Sequence, residues 1–545
     1  MPDHQPEQLI RIKQALASRA LILNTEHTMV SPSGLPQKWT FDIRSISLDA
    51  DFLKDFSEVF WQIYENSYPF QIGGQETAAI PFIAAVALRG KQIGKPINAF
   101  YIRKSRKNIG LQKIIEGEIS DQKVILLDDI VNSGQTLLRQ LAVLEENKIK
   151  ISDVFCFIKY KSDSNYQWMK EKGILLTALF ELKDFGITLE EIPISSPGFF
   201  SCEWEFRASN PNYFYVVPKS APALDEEKLY FGCDNGYFVA LDQKSGNIQW
   251  EYKTKPGAAG KSIFSSPAAW NGLVYFGAYD GNVYCLETSS GKCVWKFSEA
   301  DWVGSSPVIA KNLGLLFIGL EFGLWKKRGG ITALDLKTGS KKWEYSLSQF
   351  VHSSPAYSEE KKLVAIGSNN NSAYLFKAQS GALLWQFKTG GEIKASLVFD
   401  IKNNALVFGS FDGKIYSVDI ETGVARFFYE TNASIFSTPA ISGDSLVFTS
   451  LDKIIYCLSA KTGELIWKFQ TRGRIFASPV IWENFIYCGS NDGAMYQLDL
   501  KNGQLCNIFQ ATERITNKIA CNPLTKTIFV PTYANQIYCL KAQEN

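Results

Sequence analysis

The residues best suited to chemistry in this chain lie in one acidic segment, VILLDDIVNSGQTLLRQL, at positions 124–141. Four apolar residues predict a buried strand that ends at Asp128 and Asp129, and leucines at core spacing predict a following helix. Ligands of open parallel sheets bind at the carboxyl ends of strands. Backbone N–H groups of a short loop before a helix suit a phosphate group, and paired carboxylates suit ribose hydroxyls. The predicted phosphate loop is Asn132, Ser133, Gly134, Gln135 and Thr136.

The same pattern, taken alone, also fits an ordinary strand-to-helix connection with a capping acid. It is not a Walker loop, because no Gly-Lys-Ser/Thr sequence follows. The elements around it favour a ligand site. Apolar strand-like runs alternate with helical patterns through the first 195 residues, which predicts an α/β domain with a mainly parallel sheet flanked by helices. We expect this domain to span residues 1–195, with a boundary near residues 194–200.

A run of cations precedes the acidic strand. Five basic residues fall within eleven positions with no acid among them, and they are Arg103, Lys104, Arg106, Lys107 and Lys113. Such a run also fits a solvated face or a nucleic-acid patch. Beside a predicted phosphate cradle, we favour a cationic flap that covers a diphosphate.

These motifs resemble those of type I phosphoribosyltransferases, and of orotate phosphoribosyltransferases in particular, over about residues 20–190. Residues 124–141 match the phosphoribosyl-diphosphate signature. TFDIRSISLDA at 40–50 resembles an early segment of that family, residues 73–81 resemble its pyrophosphate-side loop, and YIRKSRKNIGLQKIIEGEI at 101–119 resembles its mobile catalytic loop. The motifs occur in the family's order.

The resemblance implies transfer of ribose 5-phosphate from phosphoribosyl diphosphate to a nucleobase, with release of pyrophosphate. It also implies a magnesium ion bound through the substrate pyrophosphate, and a homodimer formed through the first domain. Catalytic roles are implied for Lys107, Asp128 and Asp129. Substrate-binding roles are implied for Arg103, Lys104, Arg106, Glu76, Thr77, Asn132, Ser133, Gly134, Gln135, Thr136 and Lys161.

Three positions depart from the family pattern. Ile109 stands where the flap usually has a histidine, Tyr160-Lys161 replaces a base-contacting Asp-Arg pair, and Pro32 replaces an early basic residue. A lysine can attract a carboxylate on the base but lacks arginine's bidentate fork. Two interpretations follow: an orotate-like phosphoribosyltransferase, or a weakly active or inactive sensor of nucleotides or phosphoribosyl diphosphate.

Residues after about 200 have a different organisation, with a repeat of 40 to 48 residues that is typical of a four-stranded propeller blade. A glycine lies four residues before an anchor position in each of seven copies. The anchors are Trp250, Trp295, Trp343, Trp385, Phe427, Trp467 and Asn507. A recurring Ser-Ser-Pro phrase marks another strand, and we expect the anchor side chain to fill the wedge between neighbouring blades.

The last copy of the repeat lacks its aromatic strand, and that strand occurs instead as CEWEFRA around Trp204. The sequence therefore predicts an all-β propeller of eight blades over residues 199–545, closed by the Trp204 segment. Closure removes the exposed sheet edge that invites aggregation.

The repeats resemble pyrroloquinoline-quinone-type propeller repeats. Quinone dehydrogenases of that family carry an adjacent cysteine pair, and no two cysteines are adjacent here. We therefore do not favour a bound quinone, and a quinone oxidoreductase is the third interpretation. The propeller is expected to serve as a scaffold or to bind a protein partner.

Composition limits the remaining function classes. The chain has 545 residues and a formal charge of only +2, which argues against general nucleic-acid binding. Its three histidines are scattered, which argues against a His-based zinc site or catalytic triad. The sequence shows no signal peptide and no apolar run that could span a bilayer, so we expect no membrane association, a cytoplasmic location and ten reduced cysteines.

Overall fold

The chain divides into two compact units, residues 1–196 and residues 197–545. In this computed structural model the described residues are 6–23, 29–30, 36–37, 39–103, 113–132, 134–187, 198–209, 211, 216–255, 262–324 and 327–541. Among the helices of these ranges, none is both long enough and apolar enough to cross a membrane.

The first unit is built on a parallel sheet, as the alternation of strands and helices predicted. Its four main strands pair in the order β10-β9-β8-β5, and the segment ending at Ile102 joins beyond β5 through hydrogen bonds from Ile72 N to Asn98 O and from Glu76 N to Ile102 O, both 3.0 Å. The strands of this unit are β1 (Leu21–Leu23), β2 (Met29–Val30), β3 (Pro36–Gln37), β4 (Trp39–Phe41), β5 (Phe70–Gly74), β6 (Phe100–Ile102), β7 (Ile115–Gly117), β8 (Lys123–Val131), β9 (Ile151–Lys159) and β10 (Leu175–Glu181).

Five α-helices accompany the sheet within the described ranges, and each buries part of its surface. In α2 the side chain of Asp49 accepts a hydrogen bond from Phe52 N at 2.9 Å and caps the helix, whose phenylalanines pack on Phe155 and Phe157 of β9. The helices are α1 (Glu7–Ala15, followed by a π-helical turn Leu16–Ala20), α2 (Ala50–Tyr64), α3 (Ile80–Gln92), α4 (Gln135–Glu146) and α5 (Gln167–Glu171). Short 3-10 turns lie at Ile43–Ser45, Glu65–Ser67, Asp163–Tyr166 and Leu182–Phe185.

The second unit is an eight-bladed all-β propeller, as the repeat predicted. Each blade is an antiparallel sheet whose strands are hydrogen-bonded in sequence order, apart from the segments that close the ring. Blade 1 contains Ala223–Leu224, Lys228–Gly232, Tyr237–Asp242 and Ile248–Lys253, and blade 2 contains Ala268–Trp270, Leu273–Gly277, Val283–Glu287 and Cys293–Phe297. Blade 3 contains Val308–Ala310, Leu315–Phe322, Arg328–Asp335 and Lys341–Leu347, and blade 4 contains Ala356–Ser358, Leu363–Ser368, Ser372–Lys377 and Leu383–Lys388. A 3-10 turn, Lys311–Leu313, lies within blade 3.

Blades 5 to 8 continue the pattern. Blade 5 contains Val398–Asp400, Ala405–Gly409, Lys414–Asp419 and Ala425–Glu430, and blade 6 contains Ala440–Ser442, Ser445–Thr449, Ile454–Ser459 and Leu465–Gln470. Blade 7 contains Val480–Trp482, Phe485–Gly489, Ala494–Asp499 and Leu505–Gln510. Blade 8 contains Ala520–Asn522, Thr527–Pro531 and Gln536–Lys541, with Ser201–Arg207 as its fourth strand.

Each anchor tryptophan holds two neighbouring blades together. The indole of Trp467 in blade 6 lies against Gly503 of blade 7, and its Nε1 donates a hydrogen bond to Leu500 O at 3.0 Å. The same contact recurs around the ring, with indole donor distances of 2.7–3.1 Å. The glycine-anchor pairs are Gly246–Trp204, Gly291–Trp250, Gly339–Trp295, Gly381–Trp343, Gly423–Trp385, Gly463–Phe427 and Gly503–Trp467. The expectation that the anchors fill the wedge between blades is confirmed.

The seam where the chain closes the ring is built differently. Ser201–Arg207 pairs antiparallel with Gln536–Lys541 and completes blade 8. Asn507 holds the anchor position of blade 7, and there Gly198–Phe199 adds a fifth strand parallel to Leu505–Gln510. Phe200 is buried in the core cluster of this seam. The short strand Gly198–Phe199, at the start of the second unit, therefore covers the position at which the tryptophan is missing.

The glycine of each seam can be tested by substitution. Gly503→Ala should destabilise the protein by about 1–3 kcal/mol more than Gly443→Ala, because a Cβ on Gly503 would lie 2.5 Å from the ring of Trp467. Gly443 is the matched control, since its φ of +61° resembles the +70° of Gly503 but a Cβ there meets nothing within 4 Å. Urea unfolding measures both variants, and equal losses would contradict the packing role.

Candidate functional site

Side chains from four strands meet at one edge of the first unit's sheet. Because β5, β8 and β9 are parallel, their carboxyl ends lie together, and β6 ends beside β5. This edge carries the acidic pair at the end of β8, the loop after β5, the residue after β6 and the pair after β9. The described residues with predicted site roles that lie along it are Glu76, Thr77, Arg103, Asp128, Asp129, Asn132, Gly134 and Lys161.

The acidic pair is half-buried near the carboxyl end of β8 and directly follows the buried residues Val124–Leu127. The strand continues to Val131, past the predicted end at the two acids. Asp128 accepts a hydrogen bond from Asp129 N at 3.0 Å, and Asp129 accepts one from Ile130 N at 2.9 Å. Burial raises the pKa of Asp128 well above its ordinary value, and the neighbouring charge of Asp129 raises it further. Burial also raises the pKa of Asp129, while Arg44 opposes that rise. A pair of this kind holds a proton more readily than a free carboxylate, so it can donate and accept hydrogen bonds to vicinal hydroxyls.

The loop after β8 is held in place by Tyr166, a residue that the sequence analysis did not identify. The hydroxyl oxygen of Tyr166 lies 3.0 Å from Val131 O and 2.7 Å from Asn132 O, and it accepts a hydrogen bond from Lys161 N at 3.1 Å. The contact ties the loop after β8 to the loop after β9. Nothing in the sequence spacing identifies Tyr166, because its partners are backbone atoms.

Gly134 begins α4 in a left-handed conformation, with a φ of +70°. A Cβ at this position would lie 2.9 Å from Trp168 and 3.0 Å from Met169, so the residue must be glycine for two reasons. Gln135 and Thr136 form the first turn of α4. The chain thus passes directly from the acidic pair to a helix N-terminus, where backbone N–H groups can hold an anion. Ser133 lies outside the described residues.

The loop after β5 begins at two glycines that allow three strands to approach closely. A Cβ on Gly73 would lie 2.3 Å from the ring of Phe100, and one on Gly74 would lie 2.5 Å from Leu127 O. The following loop carries half-buried Glu76 and exposed Thr77, which are joined by a cis peptide bond. The glycines therefore bring this loop beside the end of β8.

The predicted flap extends from a two-stranded hairpin. β6 and β7 pair antiparallel, and Arg103 follows β6 with its guanidinium 3.7 Å from Glu116 on β7. Lys104, Arg106 and Lys107 lie outside the described residues, so their roles stay predictions. The structure describes two cations of this run: Arg103 at the sheet edge, whose side chain is 20% exposed, and Lys113, which is exposed just before β7.

An aromatic cluster lies beside the acidic pair. The ring of Tyr160 packs edge-on against Trp39, with ring centroids 5.3 Å apart, and lies near Phe41. Burial raises the pKa of the Tyr160 hydroxyl, and the charge of Asp129 raises it further, which indicates that the two groups are close. Lys161 follows, half-buried. The sequence identified the Tyr160-Lys161 substitution, but not that Trp39 and Phe41 of β4 pack on it.

No group of three or more His, Cys, Asp or Glu residues among the described residues could hold a metal ion by itself. The acidic pair offers two carboxylates, which suit Mg²⁺ when phosphate oxygens complete its coordination. All ten cysteines of the chain are free thiols.

The buried carboxyl of Asp128 predicts a stability effect with a definite sign. Its raised pKa means that the native state binds a proton more tightly than the unfolded chain does, so the free energy of unfolding falls as pH rises above about 4. Asp128→Asn removes this cost and should be more stable than the wild type at about pH 8, with the difference vanishing near about pH 4. Calorimetric unfolding across this range measures the effect.

Asp121→Asn serves as the control for this comparison, because Asp121 is an exposed acid in the bend that precedes the same strand. It should leave the unfolding free energy unchanged at every pH. A lower stability of Asp128→Asn across the whole range would contradict the interpretation.

Two family models match the propeller. The model for the β-propeller of the beta-alanine-activating enzyme matches residues 326–545, and the model for outer membrane protein assembly factor BamB matches residues 201–313.

Curated relatives match the first unit. The orotate phosphoribosyltransferase of Aquifex aeolicus is 23% identical over 175 residues, which is 32% of this chain and 95% of that protein. The enzyme of the same name from Leptospira biflexa is 27% identical over 157 residues, 28% of this chain and 84% of its own. A uridine 5'-monophosphate synthase of Caenorhabditis elegans is 30% identical over 107 residues, 19% of this chain and 20% of its own.

Solved structures match the propeller fold. BamB from Moraxella catarrhalis superposes with a TM-score of 0.52 at 17% identity, covering 64% of this chain and 99% of its own. A europium-containing methanol dehydrogenase gives a TM-score of 0.53 at 13% identity, covering 63% of this chain and 93% of its own. The chain thus joins an α/β domain similar to orotate phosphoribosyltransferases to an eight-bladed propeller of the pyrroloquinoline-quinone-repeat type.

Proposed function

We propose that the first unit transfers ribose 5-phosphate from phosphoribosyl diphosphate to a nitrogen of a nucleobase and releases pyrophosphate. The observation that carries this proposal is the acidic pair Asp128-Asp129 near the carboxyl end of β8, with Gly134 and the N-terminus of α4 after a short loop. The similarity to orotate phosphoribosyltransferases over this unit supports the same reaction class.

The reaction breaks the bond from ribose C1 to the diphosphate and forms one from C1 to the base nitrogen, which loses its proton. Positive charge develops on the ribose ring as the diphosphate leaves. Asp128 and Asp129 hold the ribose hydroxyls, and the positive charge that develops on the ring favours the ionised form of the pair, which lies beside it. Backbone N–H groups of residues 132–136 hold the 5'-phosphate.

The negative charge of the leaving diphosphate is neutralised by the basic residues of the predicted flap. Arg103 supplies one cation from the base of the hairpin, and the flap residues Lys104, Arg106 and Lys107 supply others. Glu76 and Thr77 border the same side, on the loop after β5. A Mg²⁺ ion that entered with the diphosphate would supply further charge stabilisation there. Most of the catalysis is then positioning and charge neutralisation rather than covalent chemistry.

The acidic pair provides the main test. Pyrophosphate release from phosphoribosyl diphosphate and Mg²⁺ is measured with a panel of nucleobases. Asp128→Asn and Asp129→Asn should each lower kcat/KM by about a hundredfold, because each removes a carboxylate that stabilises the cationic ring. Asp121→Asn, in the exposed bend before β8, is the matched control and should retain full activity.

The alternative is a sensor that binds the sugar diphosphate without turning it over. Ile109 in place of the flap histidine favours this reading, because its side chain cannot donate a hydrogen bond to pyrophosphate. Calorimetric binding of phosphoribosyl diphosphate that depends on Asp128, with no pyrophosphate released for any base, would replace the enzyme proposal with the sensor.

We further propose that the base lies against the aromatic cluster of Trp39 and Tyr160, where a planar ring can pack. Lys161 then supplies a single cation for a carboxylated base such as orotate. Lys161→Ala should raise the KM for orotate about tenfold and leave the KM for uracil unchanged.

The control for this experiment is Lys170→Ala, an exposed lysine on the nearby α5. Equal changes in the KM for both bases in Lys161→Ala would contradict the proposed contact between Lys161 and the base carboxylate. They would not bear on the proposed transfer reaction.

A further inference from the structure

The propeller encloses a cavity of about 1070 Å³ around its axis. Equivalent segments of all eight blades line it, each from the stretch just before the innermost strand of the blade. This is the stretch that carries the Ser-Ser-Pro phrase. The phrase therefore has a role beyond marking a strand.

The two serines of the phrase have different hydrogen-bond partners. The first bonds within its own blade, as in the hydrogen bond from Gly277 N to Ser265 Oγ at 3.0 Å. The second bonds to the preceding blade, because its Oγ accepts the backbone N–H of that blade's equivalent residue. Ser306 Oγ accepts from Ser266 N at 2.9 Å, and Ser354 Oγ accepts from Ser306 N at 2.8 Å.

The second serines form a ring of hydroxyl groups around the cavity. We call these six residues the hydroxyl ring: Ser266, Ser306, Ser354, Ser396, Thr438 and Ser478. Five of them accept a backbone N–H from the blade before. Among the described residues, the hydroxyl hydrogens of the ring have no protein acceptor. A hydroxyl group that accepts an amide N–H keeps its own O–H available as a donor, so the ring can present O–H donors to the cavity.

Lys518 occupies the same position in the eighth blade. Ser478 lies two residues before the strand Val480–Trp482, and Lys518 lies two residues before Ala520–Asn522. The lysine lines the cavity and has no carboxylate within ion-pair distance among the described residues. Its partly desolvated ammonium has a lowered pKa, as expected for a cation without a counter-ion.

The other charges near the cavity are balanced. Lys219 forms a buried ion pair with Asp234, and Lys394 Nζ lies 2.6 Å from Glu392. His352 lies 3.8 Å from Glu321. No Asp or Glu occurs among the described residues that line the cavity. The cavity therefore combines O–H donors and one unbalanced cation, with no acceptor-type carboxylate to repel an anion or to bind a metal ion.

We propose that this cavity binds a small metabolite through its phosphate or carboxylate oxygens, with Lys518 as the charged contact and the hydroxyl ring as the neutral donors. Hydrogen bonds from a charged or hydroxyl donor to an oxyanion are the strong ones, and a cavity of this size accommodates a drug-sized or smaller ligand. This proposal concerns the second unit and does not rest on the phosphoribosyl site proposed for the first unit.

The test reads Lys518 directly in the full-length chain, so phosphate binding by the first unit cannot mimic it. Lysines are acetylated briefly with and without ligand, and mass spectrometry measures the rate at Lys518. Pyrophosphate and citrate are the two anionic probes, and glucose is the neutral one. We expect at least one anion to protect Lys518 saturably while exposed Lys501 reacts at an unchanged rate. Protection by pyrophosphate alone identifies phosphate chemistry, and protection by citrate alone identifies carboxylate chemistry.

Calorimetry with the protecting anion supplies the second arm. Lys518→Ser should weaken the affinity for the anion about tenfold, because it removes the charged donor. The substitution introduces the serine that most other blades carry at this position, so the repeat is preserved. Lys501→Ser is the matched control and should bind as the wild type does. No protection by either anion, equal protection by glucose, or unchanged affinity in Lys518→Ser would overturn the proposal.

Discussion

Two adjacent carboxyl groups at the end of a buried strand are costly to ionise together, and the first unit is organised around that cost. The apolar residues of β8 place Asp128 and Asp129 where water is partly excluded. Glycines on β5 let neighbouring strands approach the same edge, and Tyr166 fixes the loops on either side. Carboxyl groups with perturbed pKa values at the edge of a sheet are typical of ligand sites, which supports the role proposed for this pair.

The propeller rests on a simpler constraint, which is that every seam between blades must be filled. An indole on one blade and a glycine on the next meet that need, and the glycine is required because its neighbour's ring occupies the place of a Cβ. Where Asn507 replaces the indole, an added parallel strand from the start of the unit covers the seam. The ring is therefore continuous although its contacts are not all the same.

Departures from the repeat are the informative positions of such a scaffold. The repeat explains a residue that recurs in each blade by packing, whereas a residue that breaks the repeat needs its own explanation. Asn507 is explained by the closing strand. Among the described residues no carboxylate lies within ion-pair distance of Lys518, which replaces a hydroxyl group by an ammonium on the wall of a cavity. The same reasoning applies to Tyr160-Lys161 in the first unit, where aromatic packing and one cation stand in place of an acid and an arginine.

The sequence by itself determined the two architectures, the eight blades and the position of the acidic pair, because periodic burial and short loop motifs are local properties of the chain. It also identified the glycines and tryptophans of the seams, although not that each ring packs on the glycine of the following blade. Only the tertiary structure decided which backbone atoms Tyr166 holds, that Trp39 and Phe41 pack on Tyr160, and that the second serines and Lys518 face one cavity. These contacts join residues far apart in the chain, often through backbone groups, and spacing along a sequence carries no record of such partners.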